Sequence, residues 1–255
     1  MRFASLGSGS KGNAWLVEKR ATRVLIDCGF GVREMAARLA RLGLAVADLS
    51  AIVLTHEHSD HGRGAARVAA KAGCPVWLTP GCRGQLEAVG ENFAEVREID
   101  SHAPFTIGDL ELWPFPVPHD AREPVQYVVS DGARRWGLLT DAGHVTSHMV
   151  AMLDHCDALT LECNHDVDRL RRGRYPPSLK SRILGRYGHL DNGAAADLLG
   201  RVGRGRLQHV VAAHLSEENN TPDLARDALA EVLTCAPDWV AVADQEAGLA
   251  WRTIF

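Results

Sequence analysis

The pattern of apolar runs predicts an α+β fold in which two β-sheets pack face to face and helices cover their outer faces. Short strand-like runs come in two blocks, each followed by stretches of helical spacing. No short-period repeat is visible, and 255 residues at 46% hydrophobic content suffice to bury a full core as one domain over residues 1–255.

The first block holds "RFASL", "AWLVE", "TRVLIDC" and "AIVLT", parted by polar turns such as "GSGSKGN". "VREMAARLARLGL" interrupts it with Met35, Leu39 and Leu42 at helical spacing, and Gly43 is a natural stop. A second helix is predicted over "HGRGAARVAAKAG", ending at Gly73, before the strand "PVWLT". In the second block, "SDGARR" divides "VQYVVSDGARRWGLLTD" as a hairpin turn would, after the strand-rich "APFTIGDLELWPFPV". "TSHMVAMLDHC" reads as a helix and "DALTLEC" as a buried strand. Helices at "NGAAADLLGRV" and "TPDLARDALAEVL", the latter opened by a Thr-Pro pair, accompany the strands "HVVAAHL" and "WVAVADQ".

Composition excludes several classes of function. No window approaches the roughly 18 uninterrupted apolar residues of a membrane span. "MRFASLGSGSKGN" lacks the apolar region of a secretory signal, so a cytoplasmic location is expected, and six scattered cysteines read as reduced thiols. A net charge of −4 gives no global attraction to nucleic acid or anionic membrane. Local charge differs: from Arg169 to Arg186 the chain carries seven cations, among them Arg172, Arg174, Lys180 and Arg182, and no acid. "YPPSLK" within it argues for a loop or short helix.

The chemistry concentrates in "VLTHEHSDHGRG". Four ligand-type residues, His56, His58, Asp60 and His61, crowd six positions, and each would need its own hydrogen-bond partner if buried as core. If the strand "AIVLT" extends to His58, its two-residue period sends His56 and His58 to one side, while Asp60 and His61 open the next helix. Imidazoles with a carboxylate suit one or two divalent ions: zinc, manganese or iron.

"THEHSDH" resembles the signature of the metallo-β-lactamase superfamily, whose fold is an αββα sandwich with metals at one edge. The resemblance implies that His56, His58 and His119 hold one ion, that Asp60, His61 and His214 hold another, and that Asp141 bridges them; His119, Asp141 and His214 each follow an apolar run. Two such ions would activate a water as nucleophile. Asp27, ending "TRVLID", is expected to orient a ligand histidine. Flavodiiron proteins carry Glu where His58 stands, and β-lactamases and glyoxalase II proteins carry a glycine-rich loop where this chain has "PVPHDAREP".

Similarity to tRNase Z-type enzymes implies that His189 in "RYGHLDN" protonates a leaving oxygen and that Glu162 or Asn164 assists it, with His165 and Asp60 also expected in the catalytic set. Together "RFASLGSGSKGNAWLVE", "ECNHDVDRLRRGRYPPSLKSRILGRYGHLDN" and "AAHLSEENNTP" resemble the YycJ (WalJ) family almost end to end. That resemblance implies a metal-dependent phosphodiesterase with 5′-to-3′ exonuclease activity on DNA, ahead of RNA. Asp191 departs from the serine more usual there. Arg172, Arg174, Lys180 and Arg182 are then expected to bind phosphates and Tyr175 and Tyr187 to stack bases. A small-molecule cyclic phosphodiesterase and a non-catalytic, metal-stabilised nucleic-acid-binding module are the alternatives; the sequence is silent on oligomeric state, a homodimer included.

Overall fold

Each strand-rich block folds into a seven-stranded sheet in a computed structural model that describes residues 1–255. The first block supplies β1 (Arg2–Gly7), β2 (Ala14–Lys19), β3 (Thr22–Ile26), β4 (Ala51–Val53), β5 (Val76–Leu78) and β6 (Val96–Glu98). The second supplies β7 (Phe105–Ile107), β8 (Leu110–Pro116), β9 (Val125–Ser130), β10 (Arg135–Leu139), β11 (Ala158–Glu162), β12 (His209–Ala213) and β13 (Ala241–Val242). A last strand, β14 (Leu249–Thr253), returns to pair antiparallel with β1 at the edge of the first sheet. The helices are α1 (Val32–Ala40), α2 (Ser59–Gly62), α3 (Ala65–Ala72), α4 (Pro80–Ala88), α5 (Ser147–Leu153), α6 (Val167–Arg172), α7 (Pro177–Ile183), α8 (Asn192–Arg201) and α9 (Pro222–Leu233).

Both sheets are built alike. An antiparallel run, β1-β2-β3 or β7-β8-β9-β10, continues into a parallel one, β3-β4-β5-β6 or β10-β11-β12-β13. Parallel strands need crossover connections, and the crossovers place helices on the outer faces. The buried clusters follow these layers. Phe3, Trp15, Tyr127 and Trp136 fill the space between the sheets, where Phe3 of β1 stacks on Trp136 of β10 with centroids 4.7 Å apart. Met35 and Leu39 of α1, with Val68 of α3, cover one outer face; Leu198 of α8 and Leu229 of α9 cover the other. Two hydrogen bonds tie the sheets at the edge where β4 ends: Tyr127 donates its hydroxyl to the Leu54 carbonyl (2.8 Å), and the Val125 amide donates to the Thr55 carbonyl (3.0 Å).

Three expectations are corrected. β4 stops at Val53, so Leu54 to His58 run as irregular chain and His58 serves as N-cap of α2, not as the end of a strand. The helix expected over "HGRGAARVAAKAG" breaks into α2 and α3 at Arg63-Gly64, because the Gly64 amide bonds the Cys28 carbonyl (2.9 Å) and a Cβ there would strike the Phe30 carbonyl. The strand in "WVAVADQ" shrinks to the two residues of β13. Gly73 does end α3, in the left-handed conformation (φ 70°), and Thr221 caps α9 ahead of Pro222. The basic stretch forms the two short helices α6 and α7.

Close backbone approach sets the site's edge. The Gly29 amide bonds the Asn13 carbonyl (3.0 Å), the Asn13 amide bonds the Asp60 carbonyl (2.7 Å), and a Cβ on Gly29 would overlap that same Asp60 carbonyl. Gly29→Ala is therefore expected to destabilise the fold by about 1–3 kcal/mol through overpacking and to weaken metal binding at Asp60; urea unfolding alongside metal titration checks both.

Candidate metal centre

Four strand ends deliver the expected ligands to one point. His56 and His58 leave β4, Asp60 and His61 lie in α2, Asp141 follows β10, His214 follows β12, and His119 lies in the loop after β8. His58 Nδ1 lies 3.0 Å from His56 Nε2 and 3.2 Å from His119 Nε2. Asp60 Oδ2 lies 3.5 Å from His61 Nε2 and 3.6 Å from His214 Nε2. Between the two groups sits the buried Asp141, with Oδ2 2.7 Å from His61 Nε2 and 3.8 Å from His56 Nε2, and Oδ1 2.7 Å from His214 Nδ1.

Each imidazole is aimed by an acceptor on its outer nitrogen. His56 Nδ1 meets Thr55 Oγ1 (2.9 Å), His58 Nε2 the Asp120 carbonyl (3.2 Å), His61 Nδ1 Asp27 Oδ2 (2.8 Å), His119 Nδ1 the Gly188 carbonyl (3.0 Å) and His214 Nδ1 the Thr140 carbonyl (2.9 Å). With those protons placed outward, the inner nitrogens of His56, His58 and His119 present lone pairs to one another, which is the tautomer arrangement a metal ligand requires, while those of His61 and His214 face the Asp60 and Asp141 carboxylates. The clusters His56-His58-His119 and Asp60-His61-His214 each have ligand atoms close enough to hold one ion. The donor set fits: both Asp141 oxygens are buried without a hydrogen bond of good geometry, although nitrogens approach to 2.7 Å, and a divalent cation meets that need.

Asp27 plays the orienting part. It sits in the left-handed region (φ 63°) at the end of β3, accepts from the Thr55 amide and hydroxyl (both 2.9 Å), and holds His61. Thr55 passes the constraint to His56, so one carboxylate aims ligands of both groups. Three contributors were hidden in the sequence. Asn13 Nδ2 lies 3.1 Å from His61 Nε2 and bonds the Gly9 carbonyl (3.0 Å), Ser8 Oγ accepts from the His214 amide (2.9 Å), and Asp120 offers its carbonyl to His58. "GSGSKGN" showed only a turn.

The charges of this cluster are strongly coupled. Burial opposes ionisation of Asp141, but the nearby His214 and His61 imidazoliums hold it well below the usual carboxylate range. Burial likewise opposes protonation of His61 and His214, but the surrounding carboxylates together outweigh it, Asp141 with Asp27 and Asp60 at His61 and Asp141 with Asp60 and Glu162 at His214, raising both well above the ordinary imidazole value. His56 and His119 are lowered, chiefly by burial.

Around this centre a cavity of about 430 Å³ is lined by polar residues that include Asp60, Asp141, Asn164, Arg182, His189 and His214. Asn164 donates to the His214 carbonyl (3.1 Å) and thereby holds the end of β12. Glu162 reaches His189 (2.7 Å). His165 is buried, with Nδ1 3.3 Å from Asn164 Oδ1, and does not line the cavity. Arg182 lies at the cavity, bonded to Asp120 (2.6 Å). Lys180 spends its ammonium on the Arg171 carbonyl (2.8 Å), so the structure does not bring it to the centre; Arg172 and Arg174 line a neighbouring cavity, and Tyr187 is exposed. The unusual Asp191 is the N-cap of α8, accepting from the Ala194 amide (2.9 Å).

Residues 22–214 match the family described as Beta-lactamase superfamily domain. The chain is 37% identical over 235 residues to exodeoxyribonuclease YycJ of Bacillus anthracis, covering 91% of this chain and 89% of that protein. It is 34% identical over 232 residues to exodeoxyribonuclease WalJ of Streptococcus pneumoniae, covering 88% and 85%. The crystal structure of the metallo-beta-lactamase fold protein YhfI from Bacillus subtilis superposes with a TM-score of 0.75 at 17% identity over 98% of both chains, a likeness of fold.

Because His61 and His214 are protonated near neutral pH in the metal-free protein, a metal must displace protons to bind. Affinity is expected to fall as pH falls, and the calorimetric binding enthalpy at pH 7 should vary with the ionisation enthalpy of the buffer; a buffer-independent enthalpy contradicts this. Asp27→Asn, which keeps one acceptor oxygen for Thr55 but turns an NH2 donor toward His61 Nδ1, is expected to weaken metal binding by about 10–100-fold, read by competition with a chromophoric chelator.

Proposed function

The chain belongs to the metallo-β-lactamase superfamily, to the YycJ and WalJ family within it, and on that premise we propose that it is a metal-dependent exonuclease hydrolysing DNA phosphodiesters in the 5′-to-3′ direction. The observation that carries the phosphodiester reading is His189. Its Nδ1 lies 2.7 Å from Glu162 Oε1 and 3.0 Å from Asp141 Oδ1. Glu162 cannot swing away, because Oε2 accepts the amides of Ala142 (2.8 Å) and Leu190 (3.2 Å). His189 Nε2 has no partner in the protein, and the residue, 19% exposed at its side chain, lines the cavity beside the ligand set.

Burial alone would lower the His189 pKa, but the Glu162 and Asp141 carboxylates raise it to about 9. The imidazolium therefore holds a proton at neutral pH, which a departing alkoxide needs. Cations at the neighbouring ligands would draw the value down toward neutrality.

In this reading His56, His58 and His119 would hold one divalent ion and Asp60, His61 and His214 a second, with Asp141 available between the two groups. Zinc, manganese or iron suits such a set, and when bound the ions supply Lewis acidity and a hydroxide nucleophile at neutral pH. Arg182, beside the cavity and steadied by Asp120, supports binding of a substrate phosphate. Asn164, on the cavity wall, holds the end of β12 through the His214 carbonyl, and the buried His165 lies against Asn164 Oδ1.

End-labelled DNA and RNA, single- and double-stranded, incubated with metal-stripped protein plus zinc, manganese or iron in turn, test the proposal. Cleavage should require added metal, favour DNA, and release a 5′ label as mononucleotide from the first turnovers. Release of a 3′ label first reverses the direction. Hydrolysis of bis(p-nitrophenyl) phosphate without any action on oligonucleotides replaces the nuclease with a small-molecule phosphodiesterase.

His189→Ala should retain metal and slow DNA cleavage by about 10²–10⁴-fold. The same variant should slow bis(p-nitrophenyl) phosphate hydrolysis far less, since p-nitrophenolate leaves without a proton. Equal losses on both substrates would mean that His189 does not act as the acid.

A further inference from the structure

A second cavity, about 740 Å³, borders the first and is lined by Arg172, Gly173, Arg174, Tyr175, Glu218 and Asn219. Tyr175 lines both cavities, so its half-buried ring stands between the candidate metal centre and the new space. The walls are tied down. Asp166 caps α6 by accepting from the Arg169 amide (2.8 Å), and its own amide bonds the Asn219 carbonyl (2.9 Å). Asn220 donates to the Cys163 carbonyl (2.7 Å) at the end of β11.

Its polar groups are free. Arg174 has no ion-pair partner, and Arg172 meets only Asp168, at 3.5 Å and with both side chains exposed, a pairing of little strength. Asn219 is 1% exposed, yet its Oδ1 receives no hydrogen bond. That oxygen faces Gly173 on the cavity wall, where an added Cβ would come within 2.5 Å. A buried acceptor without a donor has a substantial desolvation penalty unless something supplies one.

We propose that this cavity binds the nucleotide adjacent to the scissile phosphate in an unpaired strand. Arg172 and Arg174 take its phosphate, the Tyr175 face takes its base, and Glu218 accepts from the N–H edge of that base. The base must be unpaired, because a base inside a duplex cannot offer its face to an aromatic ring. This inference rests on the nuclease reading only for the strand that occupies the first cavity.

Calorimetry with phosphorothioate-linked oligothymidylates and metal-loaded protein tests it without cleavage. The wild type should bind a tetranucleotide at least about tenfold more tightly than a dinucleotide, the gain that charge-assisted hydrogen bonds to one more phosphate support. The Arg172→Ala/Arg174→Ala protein should lose that gain and bind the two lengths alike, and a blunt duplex should show no gain with the wild type. Absence of the length gain in the wild type, or its survival in the double variant, overturns the proposal. If oligonucleotides are cleaved while the variant keeps the gain, this site is wrong and the nuclease reading stands. If the gain follows the arginines but no oligonucleotide is cleaved, the nuclease reading fails and this site stands.

Discussion

The buried carboxylate of Asp141 is the constraint on which the rest of the structure depends. A charged group removed from water is tolerated only when opposite charge or strong donors surround it, and leaving one partnerless is strongly destabilising, by about 3–5 kcal/mol. Here the surroundings are imidazoles from both sheets: His56 and His61 from the first, His214 from the second. The carboxylate therefore sits at the seam, and the seam must close to satisfy it. Protons on His61 and His214 serve in the metal-free protein, and a cation serves better because it also satisfies the nitrogens facing one another. Metal binding and closure of the sandwich edge are thus one event in energetic terms.

Two residues accept unfavourable backbone to make the edge work. Asp27 (φ 63°) and His214 (φ 54°) lie in the left-handed region that side chains other than Gly, Asn and Asp rarely enter. Both directly follow a parallel strand, β3 or β12, where an extended residue would send its side chain along the pleat and away from the centre. The left-handed turn redirects it. The conformations are held by the bonds made at once: Asp27 accepts from Thr55 and His61, and the His214 amide donates to Ser8. Strain of this kind persists where the surroundings over-determine it, and it belongs to a site rather than to a core.

Much of this was legible in the sequence, and the reasons for the rest are physical. His56, Asp141 and His214 follow apolar runs because β4, β10 and β12, which pair in parallel, deliver their ends to one edge, and the antiparallel β8 brings His119 to the same place; a strand's burial is written in its own residues, so Asp141, Glu162 and His214 could be found one at a time. The organising partners were not legible. Asn13, Thr55 and Ser8 are ordinary turn and strand-end residues until the fold sets them against His61, Asp27 and His214. The edge strands β6 and β14 also escaped: β6 is three residues long with little burial, and β14 pairs with β1 across nearly the whole chain. The strand expected to carry His58 failed because Thr55 turns to serve Asp27, and a hydrogen bond to a residue 28 positions earlier leaves no periodic trace.

The arginine-rich stretch shows how the fold divides what composition lumps together. In sequence it is one basic block; in space α6 and α7 separate it into groups with different partners. Arg182 is ion-paired with Asp120, 62 residues earlier, which cancels most of its field, and Lys180 keeps its charge but is held on a carbonyl of its own segment, away from the centre. Arg174 is uncommitted and Arg172 nearly so, and both lie at the cavity beyond Tyr175. In a chain of net charge −4, attraction for a polyanion must come from such uncommitted cations, because the global field opposes it. In the proposed nuclease the paired arginine would position a phosphate already delivered to the centre and the unpaired ones would draw the strand in, so that capture and positioning would fall to different parts of one basic segment.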